Sequence, residues 1–231
     1  MLERKLIDTA QVPGGAELQL ISHGRDHIIT LERTELMSTR MQFSEEQLAE
    51  LTIDRLAAHA TDHGPNMLIG GYGMGFTLRA ALARLGAGAK VVVAELVPEI
   101  IAWAKGPMAH HTGDCLADPR LSLEITDVAD PIGEAADGMR AQFDAILLDV
   151  DNGPDGLVRA ENDKLYAPRM LRRMREAITP GGILSIWSAA KDPLFTNRLE
   201  KNGFEVEVRE VRARPNNKGP RHTIWFARSS S

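Results

Sequence analysis

From Asn66 onward, short apolar segments alternate with segments of helical pattern, and this alternation constrains the fold more than any other feature of the sequence. Apolar runs of this length, each followed by a helix, are typical of parallel strands in a sheet covered on both faces. The predicted strands are Met67–Ile69, Lys90–Glu95, Leu121–Thr126, Phe143–Asp149 and Ile183–Trp187. The sequence therefore predicts an α/β domain built on a mostly parallel sheet.

The chain closes with two further predicted strands, Phe204–Val211 and Thr223–Ala227. The basic loop between them, Arg212–Arg221, is too short for a crossover helix, so the pair is predicted to be antiparallel. Five parallel strands followed by an antiparallel hairpin are the layout of the class I S-adenosylmethionine (SAM)-dependent, Rossmann-like fold.

The first 43 residues have a different pattern. Glu17–Ile21 and His27–Leu31 are short and partly alternating, with a turn between them, and predict a β-hairpin. A further strand is predicted at Leu2–Ile7. Ser44 is predicted to cap a helix, with Gln47 completing a capping box. We therefore expect a small β-hairpin domain at 1–43 and the SAM-type domain at 44–231.

Composition excludes several classes of protein. The chain of 231 residues has 27 Lys+Arg against 32 Asp+Glu, a net charge of −5, whereas general nucleic-acid binders carry a basic excess. Its single Cys excludes an intramolecular disulfide framework. No apolar run is long enough for a membrane helix, and the start of the chain lacks the pattern of a secretory signal. We expect a soluble, cytoplasmic protein with no nucleic-acid or membrane partner.

A glycine-rich turn, Gly70-Gly71-Tyr72-Gly73-Met74-Gly75, follows the first parallel strand and opens a helix. Glycines there allow a sharp turn and a close approach to a ligand, and the helix N-terminus directs amides at it. Glu95, followed by Leu96, ends the next strand, where an acid can accept hydrogen bonds from ribose hydroxyls. Together they predict a nucleoside site, although a tight turn and a surface acid are the alternative.

Two observations favour SAM over a dinucleotide. The turn has the tighter G-x-G-x-G form, and Asp127-Val128 follows the third strand, where the SAM fold has an acid for the adenine amino group and an apolar neighbour for the ring. An ordinary helix-capping role for Asp127 is the alternative.

The fourth strand ends in an acidic turn that contains Asp149, Asp151 and Asn152. Ligands in open α/β sheets bind at the carboxyl ends of the strands. A carboxylate there could take a proton from an attacking amine or hold a cation, and a solvated acidic turn is the alternative. Asp149 is the stronger candidate because it directly follows the apolar strand.

The motifs Leu68–Arg79, Val93–Ile100, Phe143–Asp149, Leu165-Tyr166 and Thr179–Ile183 resemble those of the polyamine aminopropyltransferase (spermidine synthase-like) family. The resemblance covers essentially the whole chain, and the small N-terminal β-domain also fits it. It implies that Glu95 binds ribose, Asp127 binds adenine and Asp149 is the base. It further implies decarboxylated SAM as donor, a small-molecule amine as acceptor, methylthioadenosine as product and a homodimer.

The sequence departs from the family pattern at three places. The family's glycine turn has an acid where Gly73 stands, and that acid suits a bare ammonium and would repel the carboxylate of intact SAM. The family's second acid after the fourth strand is either shifted or neutralised in the run Asp149-Val150-Asp151-Asn152-Gly153. A Gln that seats the amine is replaced by Trp187. The donor is therefore SAM or decarboxylated SAM.

Four residues are predicted on the substrate side, and they are Tyr72, Glu46, Tyr166 and Trp187. Tyr72 has packing against the N-terminal domain as its alternative, and acids in the first turn of a helix favour its dipole whatever the function. The histidines, among them His110 and His111, show no metal-ligand spacing with a carboxylate, so no metal is predicted. Cys115 is predicted to be an inert thiol.

Three functional hypotheses follow. The first is a spermidine synthase-like transferase with an amine nucleophile and Asp149 as base. The second is a small-molecule methyltransferase that uses intact SAM, which the departure at Gly73 favours. The third is a nucleoside-binding homologue without turnover.

Overall fold

The computed structural model describes residues 3–32, 34–57, 64–150 and 162–229, with side chains from 164 in the last range. Asp151 and Asn152 lie outside these ranges. None of the helices within them is long and apolar enough to cross a membrane.

The N-terminal region forms a four-stranded antiparallel sheet in the order β1-β2-β3-β4. Its strands are β1 (Arg4–Gln11), β2 (Glu17–His23), β3 (Asp26–Leu31) and β4 (Thr34–Ser38). The predicted hairpin is confirmed as β2 and β3. The strand predicted at Leu2–Ile7 continues to Gln11. Strand β4 was missed because its two apolar residues, Leu36 and Met37, are adjacent and do not alternate with polar ones.

Helix α1 (Phe43–Ala57) follows this sheet, and its predicted cap is wrong. The helix already includes Ser44, whose Oγ lies 2.8 Å from Nδ1 of His222. The side chain of Gln47 donates to Glu50 at 2.6 Å instead of turning back to the helix start. The capping box fails because a long-range partner, which the sequence does not reveal, takes the Ser44 hydroxyl.

The rest of the chain forms a seven-stranded sheet in the order β10-β11-β9-β8-β5-β6-β7. Its strands are β5 (Asn66–Gly70), β6 (Lys90–Glu95), β7 (Leu121–Ile125), β8 (Phe143–Leu148), β9 (Ile178–Ser188), β10 (Phe204–Arg214) and β11 (Lys218–Ser229). The first five are parallel, and β11 pairs antiparallel with both β9 and β10. This confirms the predicted fold class.

Helices cover both faces of the sheet. They are α2 (Phe76–Arg84), α3 (Pro98–Lys105), α4 (Ala109–Thr112), α5 (Ala129–Ala136), α6 (Asn162–Leu165), α7 (Pro168–Ala177) and α8 (Pro193–Lys201). Along β5, Met67 and Ile69 enter one buried apolar cluster and Leu68 enters another. Successive strand residues point to opposite faces, so uninterrupted apolar strands fit a sheet that is buried on both sides. The strand ends are then the places left for polar side chains.

Candidate functional site

The glycine turn connects β5 to α2 and brings two strand ends together. The Gly71 amide donates to the carbonyl of Ala94 at 2.9 Å, and the Asp149 amide donates to the carbonyl of Gly70 at 2.9 Å. Gly71 has φ +83°, and a Cβ there would lie 2.6 Å from the Asp149 carbonyl oxygen. Only glycine permits this approach. Gly75 ends the turn as the N-cap of α2.

Glu95 ends β6 directly beneath this turn and is 7% exposed. Its Oε2 accepts from the amide of Tyr72 and its Oε1 from the amide of Val97, each at 2.8 Å. Burial raises the pKa of Glu95, although these bonds and those from the amides of Gly73 and Leu96 act in the opposite direction. The carboxylate is thus fixed in one orientation by backbone donors.

A cleft that encloses about 880 Å³, part of it open to solvent, lies between the two sheets. The N-terminal sheet and the segment joining β1 to β2 contribute an apolar wall, formed by Val12, Leu18, Ile29, Leu36 and Met37. The strand ends of the larger sheet contribute Gly71, Gly73, Glu95, Leu96, Asp127, Val128 and Asp149, all predicted site residues. We call the part around the glycine turn, Glu95 and Asp127 the turn side of the cleft.

The sequence left open whether Asp127 belongs to a ligand site or only caps a helix. Its Oδ1 accepts from the amide of Ala129 at 3.0 Å, as a residue before a helix does, and the same residue lines the cleft. Val128 lines the cleft beside it and packs against Gly70, where a Cβ would lie 2.8 Å from a Val128 methyl. A polar and an apolar side chain therefore meet next to Glu95.

Asp149 follows β8 on the other part of the cleft. Its Oδ2 accepts from the hydroxyl of Thr77 at 2.6 Å. Burial raises the pKa of Asp149 to about 6, and the Thr77 hydrogen bond opposes that shift. A carboxylate with a pKa near neutrality is suited to general-base chemistry, since it can accept a proton and release it again at physiological pH.

Glu45, in the first turn of α1, is a neighbour that the sequence did not single out. The Thr77 hydroxyl that donates to Asp149 also lies 3.3 Å from the carbonyl oxygen of Glu45. Burial, and then the charges of Asp149 and Glu46, raise the pKa of Glu45 well above its usual range. We call Glu45, Thr77 and Asp149 the carboxylate side; of these three, Asp149 lines the cleft and the other two lie next to it.

Glu46, the acid of this helix that was predicted on the substrate side, is placed differently. Glu46 forms an ion pair with Arg79 of α2 at 2.9 Å. Consecutive helical residues point in different directions, and here the charge of Asp149 acts on Glu45 whereas Glu46 pairs with Arg79. The orientation of α1 decides which of the two acids lies toward Asp149.

Tyr72 and Tyr166, two predicted substrate contacts, have buried side chains that do not line the cleft. The Tyr72 hydroxyl lies 3.5 Å from Sγ of Cys115, and only its backbone amide contributes to the site, through Glu95. The Tyr166 ring packs edge-on against Phe195 with centroids 5.4 Å apart. Both rings are core components because their large apolar area is buried.

Trp187 lies at the end of β9 and is 5% exposed. Its ring meets His222 edge-on at 4.7 Å, and within the described part of the chain its buried Nε1 has no hydrogen-bond partner. Burial lowers the pKa of His222 to about 4, so this imidazole is neutral. Trp187 does not line the cleft as described, and its role toward an acceptor stays a prediction.

Gly73 has φ +53°, and a side chain there would begin 3.3 Å from Sδ of Met37. The apolar N-terminal sheet therefore closes over the turn at the position where the resembling family carries an acid. At position 73 the turn side of the cleft is therefore bordered by the Met37 thioether and has no carboxylate.

No protein-family model and no curated protein sequence matches the chain. Several solved structures are similar to it. A spermidine synthase in complex with the transition state analogue AdoDATO has 17% identity and a TM-score of 0.71, over 98% of this chain and 73% of that one. Spermidine synthase from Thermotoga maritima has 18% identity and a TM-score of 0.72, with the same coverage. The chain has a spermidine synthase-like fold.

Human methyltransferase-like protein 13 in complex with SAH is also similar, with 18% identity and a TM-score of 0.57 over 82% of this chain and 79% of that one. At these identities the spermidine synthase-like fold is what the comparisons establish. The reaction has to be argued from the residues of the cleft.

Proposed function

We propose that this protein is a group transferase that moves an aminopropyl-type group from a SAM-type sulfonium donor to a small-molecule amine. The observation that carries this proposal is that Glu95 and Asp149, at the carboxyl ends of two parallel strands, line one cleft. The fold supports it, because spermidine synthases share the architecture.

In this proposal the donor's nucleoside occupies the turn side. Glu95 accepts hydrogen bonds from the two ribose hydroxyls, and its backbone donors hold it ready for them. Asp127 accepts from the adenine amino group, while Leu96 and Val128 contact the ring. A carboxylate that is already oriented loses little conformational freedom when the ligand binds.

The reaction is then a displacement at carbon. The amine nitrogen forms a bond to the propyl carbon next to sulfur, and the carbon–sulfur bond breaks with its electron pair moving to sulfur. Methylthioadenosine leaves as a neutral thioether, and Asp149 accepts the proton that the attacking nitrogen loses. The sulfonium activates the carbon, so positioning and one base supply what the protein must add.

The carboxylate side suits a cationic acceptor. The charge of Asp149 disfavours the ionised form of Glu45, which is one reason the pKa of Glu45 is raised. An ammonium group close to both would offset this repulsion and draw both carboxyls toward their charged forms. An acceptor that carries an ammonium group is therefore favoured over an uncharged acceptor at this position.

Methyl transfer from intact SAM is the second candidate, and the contact between Gly73 and Met37 favours it. With no acid at position 73, the donor's carboxylate would meet a thioether and experience no repulsion. The donor's charge state is thus the main difference between the two candidates.

The decisive experiment identifies the nucleoside product. The protein is incubated with SAM or with decarboxylated SAM, each with diamines and triamines of increasing length, and the product is determined by mass spectrometry. Methylthioadenosine supports the proposal, and S-adenosylhomocysteine supports methyl transfer instead. If both donors bind but neither product forms, the protein is a nucleoside-binding homologue without turnover and the proposal fails.

A further inference from the structure

Three histidines form a cluster away from the cleft lining. His27 belongs to β3 of the N-terminal sheet, and His110 and His111 belong to α4 of the larger domain. One ring nitrogen of each lies within 4.8 Å of one from each of the others. The ring centroids are 3.9 to 5.5 Å apart. Sequence spacing gave no sign of this site, because His27 is far from the other two along the chain.

The hydrogen bonds of the cluster leave nitrogen lone pairs available. Nε2 of His111 lies 3.1 Å from the carbonyl oxygen of Arg25, which can only accept, so Nε2 carries the proton and Nδ1 is left with its lone pair. Nδ1 of His27 is buried and has no hydrogen-bond partner within the described residues, and His27 is 7% exposed. A backbone carbonyl bonded to the other ring nitrogen is the usual support of a metal-bound histidine.

Charged groups of both signs surround the cluster. Burial and the neighbouring imidazoles lower the pKa of both His27 and His111. Asp26 acts on both rings with its negative charge while it is paired with Arg40 at 2.6 Å. Arg79 is the positive group on the other side, since its Nη1 donates to the His111 carbonyl at 2.5 Å.

We propose that His27, His110 and His111 bind one divalent transition-metal ion of the zinc type, which fastens the N-terminal sheet to α4. Three imidazoles suit Zn²⁺ or Co²⁺, whereas Mg²⁺ and Ca²⁺ require oxygen ligands. Ligand nitrogens around a tetrahedral zinc lie about 3.3 Å apart. In this proposal, rotation of the exposed His110 side chain shortens the distances between the three ring nitrogens to that value. A water molecule completes the coordination on the exposed side.

The location gives the ion a structural role. Ile29 of β3, two residues from His27, and Ile100 of α3, the helix before α4, both line the cleft. An ion that joins β3 to α4 would hold these two walls at a fixed separation. This inference does not depend on the transferase reaction, because none of the three histidines lines the cleft.

The test uses the full chain, freed of metal with a chelator and titrated with Zn²⁺ by calorimetry and with Co²⁺ by visible absorption. We expect one ion per chain, tetrahedral Co²⁺ bands, and a Tm higher by about 5–10 °C when Zn²⁺ exceeds its Kd about 100-fold. Mg²⁺ should give no Tm shift.

His110→Ala is the main variant, because His110 is exposed and its loss should not disturb the fold. It and His111→Ala should each weaken Zn²⁺ binding more than about tenfold. His23→Ala, which removes a nearby imidazole that contacts Arg40 instead, is the matched control and should bind Zn²⁺ like the parent chain. Absence of one-to-one binding, full binding by His110→Ala, or an equal loss in His23→Ala would each overturn the proposal.

Discussion

Glu95 and Asp149 each stand at the end of a parallel strand, line the same cleft and have raised pKa values, yet they are held in different ways. Backbone amides hold Glu95 on both oxygens, whereas Asp149 accepts a side-chain hydrogen bond from Thr77. Fixed donors suit a carboxylate whose task is recognition, since they preserve its charge and direction. Asp149, which accepts the Thr77 hydrogen bond and has a pKa of about 6, can instead accept and release a proton. Under the proposed function, this difference separates binding by Glu95 from chemistry at Asp149.

The largest expected effect is on turnover in Asp149→Asn. The amide retains an oxygen for the Thr77 hydrogen bond but cannot accept the amine's proton, so kcat should fall about 10²–10⁴-fold. Donor affinity measured by calorimetry should change less than about threefold. Unchanged turnover would remove Asp149 from the role of base and, with it, the separation of the two carboxylates.

Glu95→Ala should produce the opposite pattern. Loss of the ribose acceptor, together with the unpaired amides of Tyr72 and Val97, should weaken donor binding about 10²-fold, or about 2.7 kcal/mol. Glu99→Ala, in the first turn of α3 and outside the cleft lining, is the matched control. An unaltered donor affinity in Glu95→Ala would contradict the ribose assignment.

Gly73→Asp tests whether the missing acid sets donor choice. Asp tolerates a φ of +53° better than most residues, and Met37 has to move by a few tenths of an ångström. The ratio of affinities for decarboxylated over intact SAM should rise about tenfold, because the new carboxylate attracts the ammonium and repels the donor's carboxylate. Gly73→Asn has the same shape without the charge and should leave the ratio unchanged. Equal ratios in the two variants would show that charge at this position is irrelevant.

The pH dependence of kcat/KM tests whether Asp149 is the group that must lose its proton. Because the base acts in its deprotonated form, kcat/KM should rise with pH through the Asp149 pKa of about 6 and then level off. Thr77→Val removes a hydrogen bond that lowers this pKa, so the inflection should move upward by up to about one pH unit. A shift to lower pH would show that a different group controls the profile.

The smallest expected effect is on stability in Glu45→Gln. The folded-state pKa of Glu45 is raised, so its contribution is most favourable below the unfolded pKa and is lost as pH rises through the folded pKa. Glu45→Gln should therefore raise Tm by about 2–4 °C at pH 8, with the gain vanishing near pH 4. Glu46→Gln, which loses the ion pair with Arg79, should instead lower Tm slightly. A pH-independent gain in Glu45→Gln would argue against a titrating Glu45.

Much of the fold could be predicted from the sequence because its determinants are local. Uninterrupted apolar strands indicate a sheet covered on both faces, and the short closing connection indicates an antiparallel pair; the structure confirms both. The edge strand β4 lacks such a pattern and was missed. The boundary between residues 43 and 44 and the homodimer stay predictions.

For the site, the sequence indicated residues at strand ends, and the structure places Glu95, Asp127 and Asp149 in one cleft. It could not indicate which way a helical or turn side chain points. Tyr72 is turned into the core beside Cys115, Glu45 faces Asp149 in place of Glu46, and Ser44 contacts His222. Each of these depends on how a whole element is oriented.

The sequence by itself determined the alternation of strands and helices from Asn66 onward and the polar residues that end those strands, because the period of apolar residues and the positions of glycines are local properties. The tertiary structure alone decided which distant side chains share a partner, such as Thr77 with Asp149, Met37 with Gly73, and His27 with His110 and His111. Packing of one sheet over another brings these groups together, and no local pattern along the chain encodes that packing.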